Sequence, residues 1–208
     1  MSNNYSLHNP VLSSFKLSTL FEIWTGSENQ NELPSGNTAL IATGIANNGV
    51  CEYVSIQKEK IYCANSITVS NIDSSAVFYQ HREHCLTQNV FSLQPRFSGL
   101  NHKSGIYITQ VIRKELTKYG WGNYIGKAGL SDLMLSLPST FSTINNEFGL
   151  DVIAMENFIN NLENDSIYKE FLNILAKANK VKFTPINYNN WHPFAIDELF
   201  NVIGSKTT

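Results

Sequence analysis

Between residues 38 and 97, apolar positions come in short bursts, at 39–42, 50–56, 66–69, 76–79 and 90–93. The bursts are rich in Val, Ile, Tyr and Phe and are divided by Asn, Gly, Ser and Asp, as in half-buried strands joined by tight turns. Asn47-Asn48-Gly49 is one such turn signal, because Asn and Gly tolerate positive φ. The period then changes. Across 105–118, Ile106, Ile108, Val111, Ile112 and Leu116 share a broad side of a helix, with Gly120 placed to cap its C-terminus. A glycine-rich loop at 120–129 follows, then an apolar strand-like run at 133–137 closed by Pro138.

Helical spacing returns over roughly 150–180. Met155, Phe158, Ile159 and Leu162 make one stripe; Ile167, Phe171, Ile174, Leu175 and Ala178 make another. The interruption Glu163-Asn164-Asp165-Ser166 either kinks one helix or caps a second. The succession predicts a mixed α/β (α+β) class, small strands first and a helical spacer after them. Such a helix needs an apolar partner, either its own domain or a helix of another copy or module.

A repeat adds to this picture. The segment Phe15-Lys-Leu-Ser-Thr-Leu-Phe-Glu-Ile returns 179 residues later as Phe194-Ala-Ile-Asp-Glu-Leu-Phe-Asn-Val. Phe15 matches Phe194, Leu17 Ile196, Leu20 Leu199, Phe21 Phe200 and Ile23 Val202. A glycine follows each copy, Gly26 and Gly204, one register step apart. The pattern is that of a second module begun and not completed.

With 208 residues, 42% of them hydrophobic, the chain has enough apolar material for one main domain plus an appendage. No apolar run approaches the length of a membrane span, and the N-terminus lacks the basic and apolar regions of a secretory signal. Cys51, Cys63 and Cys85 fit neither a disulfide framework nor a CxxC metal pattern, and read as reduced thiols of a cytoplasmic protein. The net charge of −2 argues against a polyanionic partner, but its distribution changes that reading. Residues 55–127 carry nine Lys/Arg against four acids, whereas 128–170 carry seven acids and only Lys169. That segregation suits one face for a polyanion and another for a protein, and equally an ordinary solvated surface.

Catalytic motifs are missing. No G-x-G-x-x-G opens a βαβ unit, and no phosphate-cradling loop or G-x-S-x-G elbow occurs. His81, His84 and Cys85 are spaced for a metal but lack a matching ligand set; exposed loop histidines are the plainer expectation. Asn9-Pro10 lacks the proline and aromatic of an amino-methyltransferase loop. The chain reads as a non-enzyme with no cofactor and no metal of its own.

The order of the pieces carries a resemblance. It runs from the F-x-L-x-x-L-F-x-I start through 39–50, 66–70, 76–79 and 89–93, past the helix and the Tyr119-Gly120 loop, to Leu130-Ser-Asp-Leu-Met-Leu-Ser-Leu-Pro138 and Met155-Glu-Asn-Phe-Ile-Asn-Asn-Leu162. This order resembles the target-recognition domain and following helix of the specificity subunits of type I restriction-modification systems, over nearly the whole chain. That family's plan is two recognition domains separated by antiparallel helices, each domain reading half of a bipartite DNA site while the helices hold methyltransferase subunits. The resemblance implies a target-recognition domain at 1–148, a helical spacer at 149–182, and a linker with a truncated second start at 183–208. It implies a half subunit, with a homodimer restoring the two-domain geometry.

Further expectations follow from the resemblance. Double-stranded DNA is the ligand, the DNA methyltransferase subunit the direct partner, and the restriction subunit joins through the complex. S-adenosylmethionine belongs to the methyltransferase. Tyr119, Trp121, Asn123, Tyr124 and Lys127 form the first reading loop, since Asn pairs with adenine and Lys reaches guanine or phosphate; a helix cap with Trp121 in the core explains the same residues. Thr43, Asn47 and Asn48 form a second loop, for which turn formation is an equal explanation. Lys58, Lys60, Arg82 and Lys103 are phosphate contacts or solvated surface. Met155, Ile159, Leu162, Ile167, Phe171, Ile174 and Leu175 dock the partner. The alternative to DNA reading is a truncated decoy that occupies the methyltransferase complex.

Overall fold

The computed structural model describes residues 10–120, 122–143 and 147–178, so Trp121 and the second copy of the repeat lie outside the described residues. Contacts divide the chain into two units that meet between Asp165 and Ser166.

The first unit opens on the repeat segment. It forms a strand, β1 (Leu12–Lys16), one helical turn, α1 (Leu17–Leu20), and a second strand, β2 (Phe21–Thr25). The bursts that follow become β3 (Ser35–Ile41), β4 (Val50–Val54), β5 (Ser66–Ser70), β6 (Val77–Gln80) and β8 (Val90–Pro95). Between β6 and β8 lies β7 (His84–Leu86), a three-residue strand that the sequence pattern did not announce. One antiparallel sheet has the order β2-β8-β5-β6, and another sheet the order β4-β3-β7, with β7 parallel to β3. In β5 both faces are buried, which gives a continuous Ser-Ile-Thr-Val-Ser run in place of alternation.

The long helix, α2 (His102–Leu116), starts three residues before the periodic stretch because Asn101 caps it. The Asn101 side chain accepts from the backbone N–H groups of Lys103 and Ser104, and the Ser104 hydroxyl accepts from the Asn101 N–H. Ser104, Gly105, Ile108, Thr109, Ile112 and Leu116 form its buried face. Its other end differs from expectation. The helix stops at Thr117, still in right-handed geometry, while Gly120 pairs with Asn123 in a small backbone bridge and caps nothing.

A short helix, α3 (Lys127–Ser131), leads into β9 (Met134–Ser142), a hairpin partner, β10 (Glu147–Leu150), and a helix, α4 (Val152–Asn164). Strand β9 lies between β1 and β10 and continues through Pro138, the residue expected to close it. Pro138 stands where the ladder passes from β1, which pairs with 134–138, to β10, which pairs with 139–142. At such a handover the missing N–H costs little. Leu17, Phe21, Ile67, Leu93, Ile108, Ile112, Leu116, Leu130, Leu135, Leu137 and Met155 meet in one buried core. Helix α4 packs on α2, so the first compact unit extends past the expected 148/149 boundary.

The second unit contributes α5 (Ser166–Ala178). Extended backbone at Asp165 separates it from α4, so the 163–166 interruption is a true break.

Candidate nucleic-acid interface

The loop after α2 is held from behind. Ile125 is buried in the main core, and Gly120 and Asn123 exchange backbone hydrogen bonds of 3.0 and 2.9 Å. The Asn123 side-chain amide donates to the Lys118 carbonyl. Gly122 sits at φ +81° with nothing near the position a Cβ would take, so the left-handed backbone is what requires glycine there. Tyr124 is half exposed and Lys127 is exposed at the start of α3. Tyr119 is half-buried and packs against the core, with the Lys118 ammonium over its ring. Backbone anchoring of this kind presents side chains on a defined frame.

The second loop is built as a turn first. Asn47 and Asn48 both have positive φ, and the Asn47 side chain donates to the Val50 carbonyl. Asn48 donates to the Tyr79 carbonyl and to Gln80 Oε1, and its own carbonyl accepts from Gln80 Nε2. Those bonds pin the loop to β6. Asn48 also lines a cleft of about 250 Å³ with Tyr79, His102, Thr109, Gln110 and Arg113. Arg113 donates to the Val77 carbonyl at 2.5 Å and lies over the Phe78 ring, while its Nε has no hydrogen-bond partner among the described residues. Thr43 is half-buried at the start of the loop.

The cations divide into two groups. Lys58 and Arg82 are exposed and carry no side-chain partner among the described residues. Lys60 grips the buried Glu28 with 2.9 and 3.0 Å contacts to its two oxygens. Burial pushes the Glu28 carboxyl up, but hydrogen bonds from Lys60 and Ser27 and the Lys60 charge outweigh it and hold the group below its ordinary value. Lys103 bonds Asn160 and, at 2.7 Å, Glu163, which ties α2 to α4.

His84 overturns the expectation of an exposed loop histidine. It is 1% exposed on β7, stacked on Tyr62, with Nδ1 at 3.1 Å from the Arg82 carbonyl and Nε2 without a hydrogen-bond partner among the described residues. Burial pushes its pKa down to about 4. His81 is exposed. Among the described residues no group of three or more His, Cys, Asp or Glu side chains could hold a metal ion. None of the described helices is long and apolar enough to cross a membrane.

The residues expected to dock a partner also divide. Met155 and Ile159 are buried inside the first unit, and Leu162 is half exposed near the end of α4. On α5, Ile167, Phe171, Ile174 and Leu175 are all exposed. Sequence reasoning passed over Trp24 and Tyr53, half-exposed aromatics on β2 and β4, and the Phe141–Phe148 pair across the β9–β10 hairpin. Their signal is an aromatic at an outward register position, which is readable only once the register is known.

Comparison with known proteins places this architecture. The family model "Type I restriction modification DNA specificity domain" matches residues 12–171. Among solved structures, the HsdS subunit from Thermoanaerobacter tengcongensis is 14% identical, with a TM-score of 0.55, 85% of this chain covered and 42% of that one. The S subunit of a type I restriction-modification system from M. genitalium is 12% identical, with a TM-score of 0.51, 84% of this chain covered and 45% of that one. A structure concerned with complex assembly and conformational transition of the type I R-M system is 15% identical, with a TM-score of 0.57, 86% of this chain covered and 45% of that one. At these identities the likeness is one of fold, and the chain spans less than half the length of those chains. A search of curated proteins gave no match.

Proposed function

Since the chain belongs to the family of type I restriction modification DNA specificity domains, we propose that it is a cytoplasmic DNA-recognition subunit that reads one half of a bipartite site. The observation that carries this reading is the family match over 12–171, nearly all of the described fold. The geometry is compatible with it. The loops at 43–48 and 119–127 are braced by hydrogen bonds and by Ile125, and they present polar and aromatic side chains on a rigid frame.

In this reading Asn123, Tyr124 and Lys127, together with Trp121, address base edges, and Thr43, Asn47 and Asn48 shape the second loop. Lys58 and Arg82 contact phosphates. Lys60 and Lys103 act through the elements they tie down, Lys60 by holding Glu28 and Lys103 by holding α4. Ile167, Phe171, Ile174 and Leu175 on α5 dock a DNA adenine methyltransferase subunit or the helix of a second copy, and Leu162 is a separate exposed apolar position on α4 for such a partner. Met155 and Ile159 anchor α4 within the first unit. Methyl transfer and S-adenosylmethionine belong to the methyltransferase, and the restriction subunit joins through the complex.

The test is co-expression with the cognate methyltransferase subunit, followed by genome-wide mapping of methylated adenines. A gapped palindromic motif is the expected result, because two identical half readers related by a twofold axis read identical half-sites. Complex formation without methylation overturns the DNA-reading assignment in favour of a decoy. Trp121→Ala with Asn123→Ala should relax or abolish the motif while the fold is retained; an unchanged motif removes this loop from the reading site.

A further inference from the structure

Gln80, the last residue of β6, is only 5% exposed, and both of its side-chain polar atoms are engaged. Its Oε1 accepts from the Asn48 amide at 3.0 Å. Its Nε2 donates to the Asn48 backbone carbonyl at 3.1 Å and to the Thr68 hydroxyl at 3.0 Å. Thr68 is buried on β5 and donates to the Phe78 carbonyl, and the Asn48 amide also donates to the Tyr79 carbonyl. These bonds tie β5 and β6 to a turn 32 residues away in the chain. A satisfied buried amide adds little net stability, but it fixes geometry, because displacement leaves a donor or an acceptor unpaired.

The turn has a backbone that needs fixing. Asn47, Asn48 and Gly49 follow one another at φ +50°, +56° and +80°, a region that glycine alone enters without steric cost. At Asn48 the side chain supplies the bonds to Gln80 and Tyr79 that offset this cost. The base of the loop is closed by the Ala42 N–H on the Gly49 carbonyl at 2.8 Å and the Gly49 N–H on the Ala46 carbonyl at 2.9 Å. Residues 44–47 are exposed on this pinned base.

Resting on the DNA-reading assignment above, we propose that Gln80 is a positioning residue for sequence discrimination. By clamping Asn48 it sets the path of residues 43–47 against DNA without touching DNA itself. Gln80 is shielded from solvent, so its influence on the bases read passes through the loop. A braced loop rejects a wrong base pair because the reader cannot shift to accommodate it, and a loosened loop accepts it.

The test is the mapping of methylated adenines after co-expression of the full chain with its methyltransferase subunit. Gln80→Met keeps the bulk and removes the bonds, and Asn48→Gly keeps the turn backbone and removes the amide. Each should lose roughly tenfold in discrimination at the same base pair or pairs of the motif, within what one mismatch costs, with the other positions retained. The double variant should be no worse than either single one, because both break one clamp. Leu137→Val, a substitution in the buried core on β9, is the control for lowered stability and should leave the motif as it is. An unchanged motif in both single variants overturns the inference and leaves DNA reading intact. Equal weakening at every position, or the same change in Leu137→Val, also overturns it, because Gln80 then only holds the fold together. Losses at different positions in the two variants overturn the shared clamp. No motif from the unaltered protein overturns DNA reading, and this inference falls with it. If Gln80→Met yields no complex with the methyltransferase, Asn48→Gly decides alone.

Discussion

Gly105 lies within α2, a position where glycine costs a helix about 1 kcal/mol relative to alanine. The Tyr79 ring explains it, because a Cβ there would stand 2.3 Å from Cδ2 of that ring. Gly105→Ala should therefore destabilise the protein by about 1–3 kcal/mol despite the better helix former, as a lowered denaturation midpoint. His84 makes a second residue-scale prediction. Its pKa falls from 6.5 to about 4 on folding, so the unfolded chain takes up the proton first. Its contribution is fully present above pH 6.5 and is lost as pH falls towards 4, a change of about 3 kcal/mol. Denaturant titrations from pH 4 to 7 should show that slope, and His84→Phe should flatten it. The sequence marked His84 only by its spacing to His81 and Cys85. Its burial was not legible, because β7 is three residues long and exists through its pairing with β3.

At the level of elements, the junction between α2 and α4 rests on a few polar contacts around an aromatic pair. Asn101 caps α2 and also donates to Glu156 on α4 at 2.5 Å, and Lys103 reaches Glu163. Tyr107 packs edge-on against Phe158 at 5.4 Å between centroids. Asn101→Ala removes the cap and the bridge together and should cost about 1–2 kcal/mol, measured by thermal unfolding. The Lys103–Glu163 pair is partly exposed, so Lys103→Ala should cost less than about 1 kcal/mol. The strand bursts were legible because β5, β6 and β8 are short apolar runs bounded by turn residues, and the helical stripes because α2, α4 and α5 are long enough to show their period. The repeat segment at 15–23 was not legible as two strands and a turn, since nine residues divided among three elements show no period of their own.

At the scale of the whole molecule, Phe171→Asp with Leu175→Asp should abolish association through α5 and leave the melting of the first unit unchanged, by sedimentation and calorimetry. Lys58→Ala or Arg82→Ala should weaken DNA binding at all sequences alike and reduce its salt slope by about one. The sequence alone determined the fold class, the strand-then-helix order and the two-copy pattern, because burial imposes a period on any chain whose elements pack one face inward. Of the loops at 43–48 and 119–127 it determined the places and residue types. Only the tertiary structure decided which cations are already engaged, with Lys60 on Glu28 and Lys103 on Glu163 while Lys58 and Arg82 stay exposed. Only the tertiary structure put Met155 and Ile159 inside the first unit and showed the five repeated positions to be its core-facing ones. The reason is that a charge or an apolar side chain looks the same in one dimension whether its partner is solvent, another chain or a residue 60 positions away.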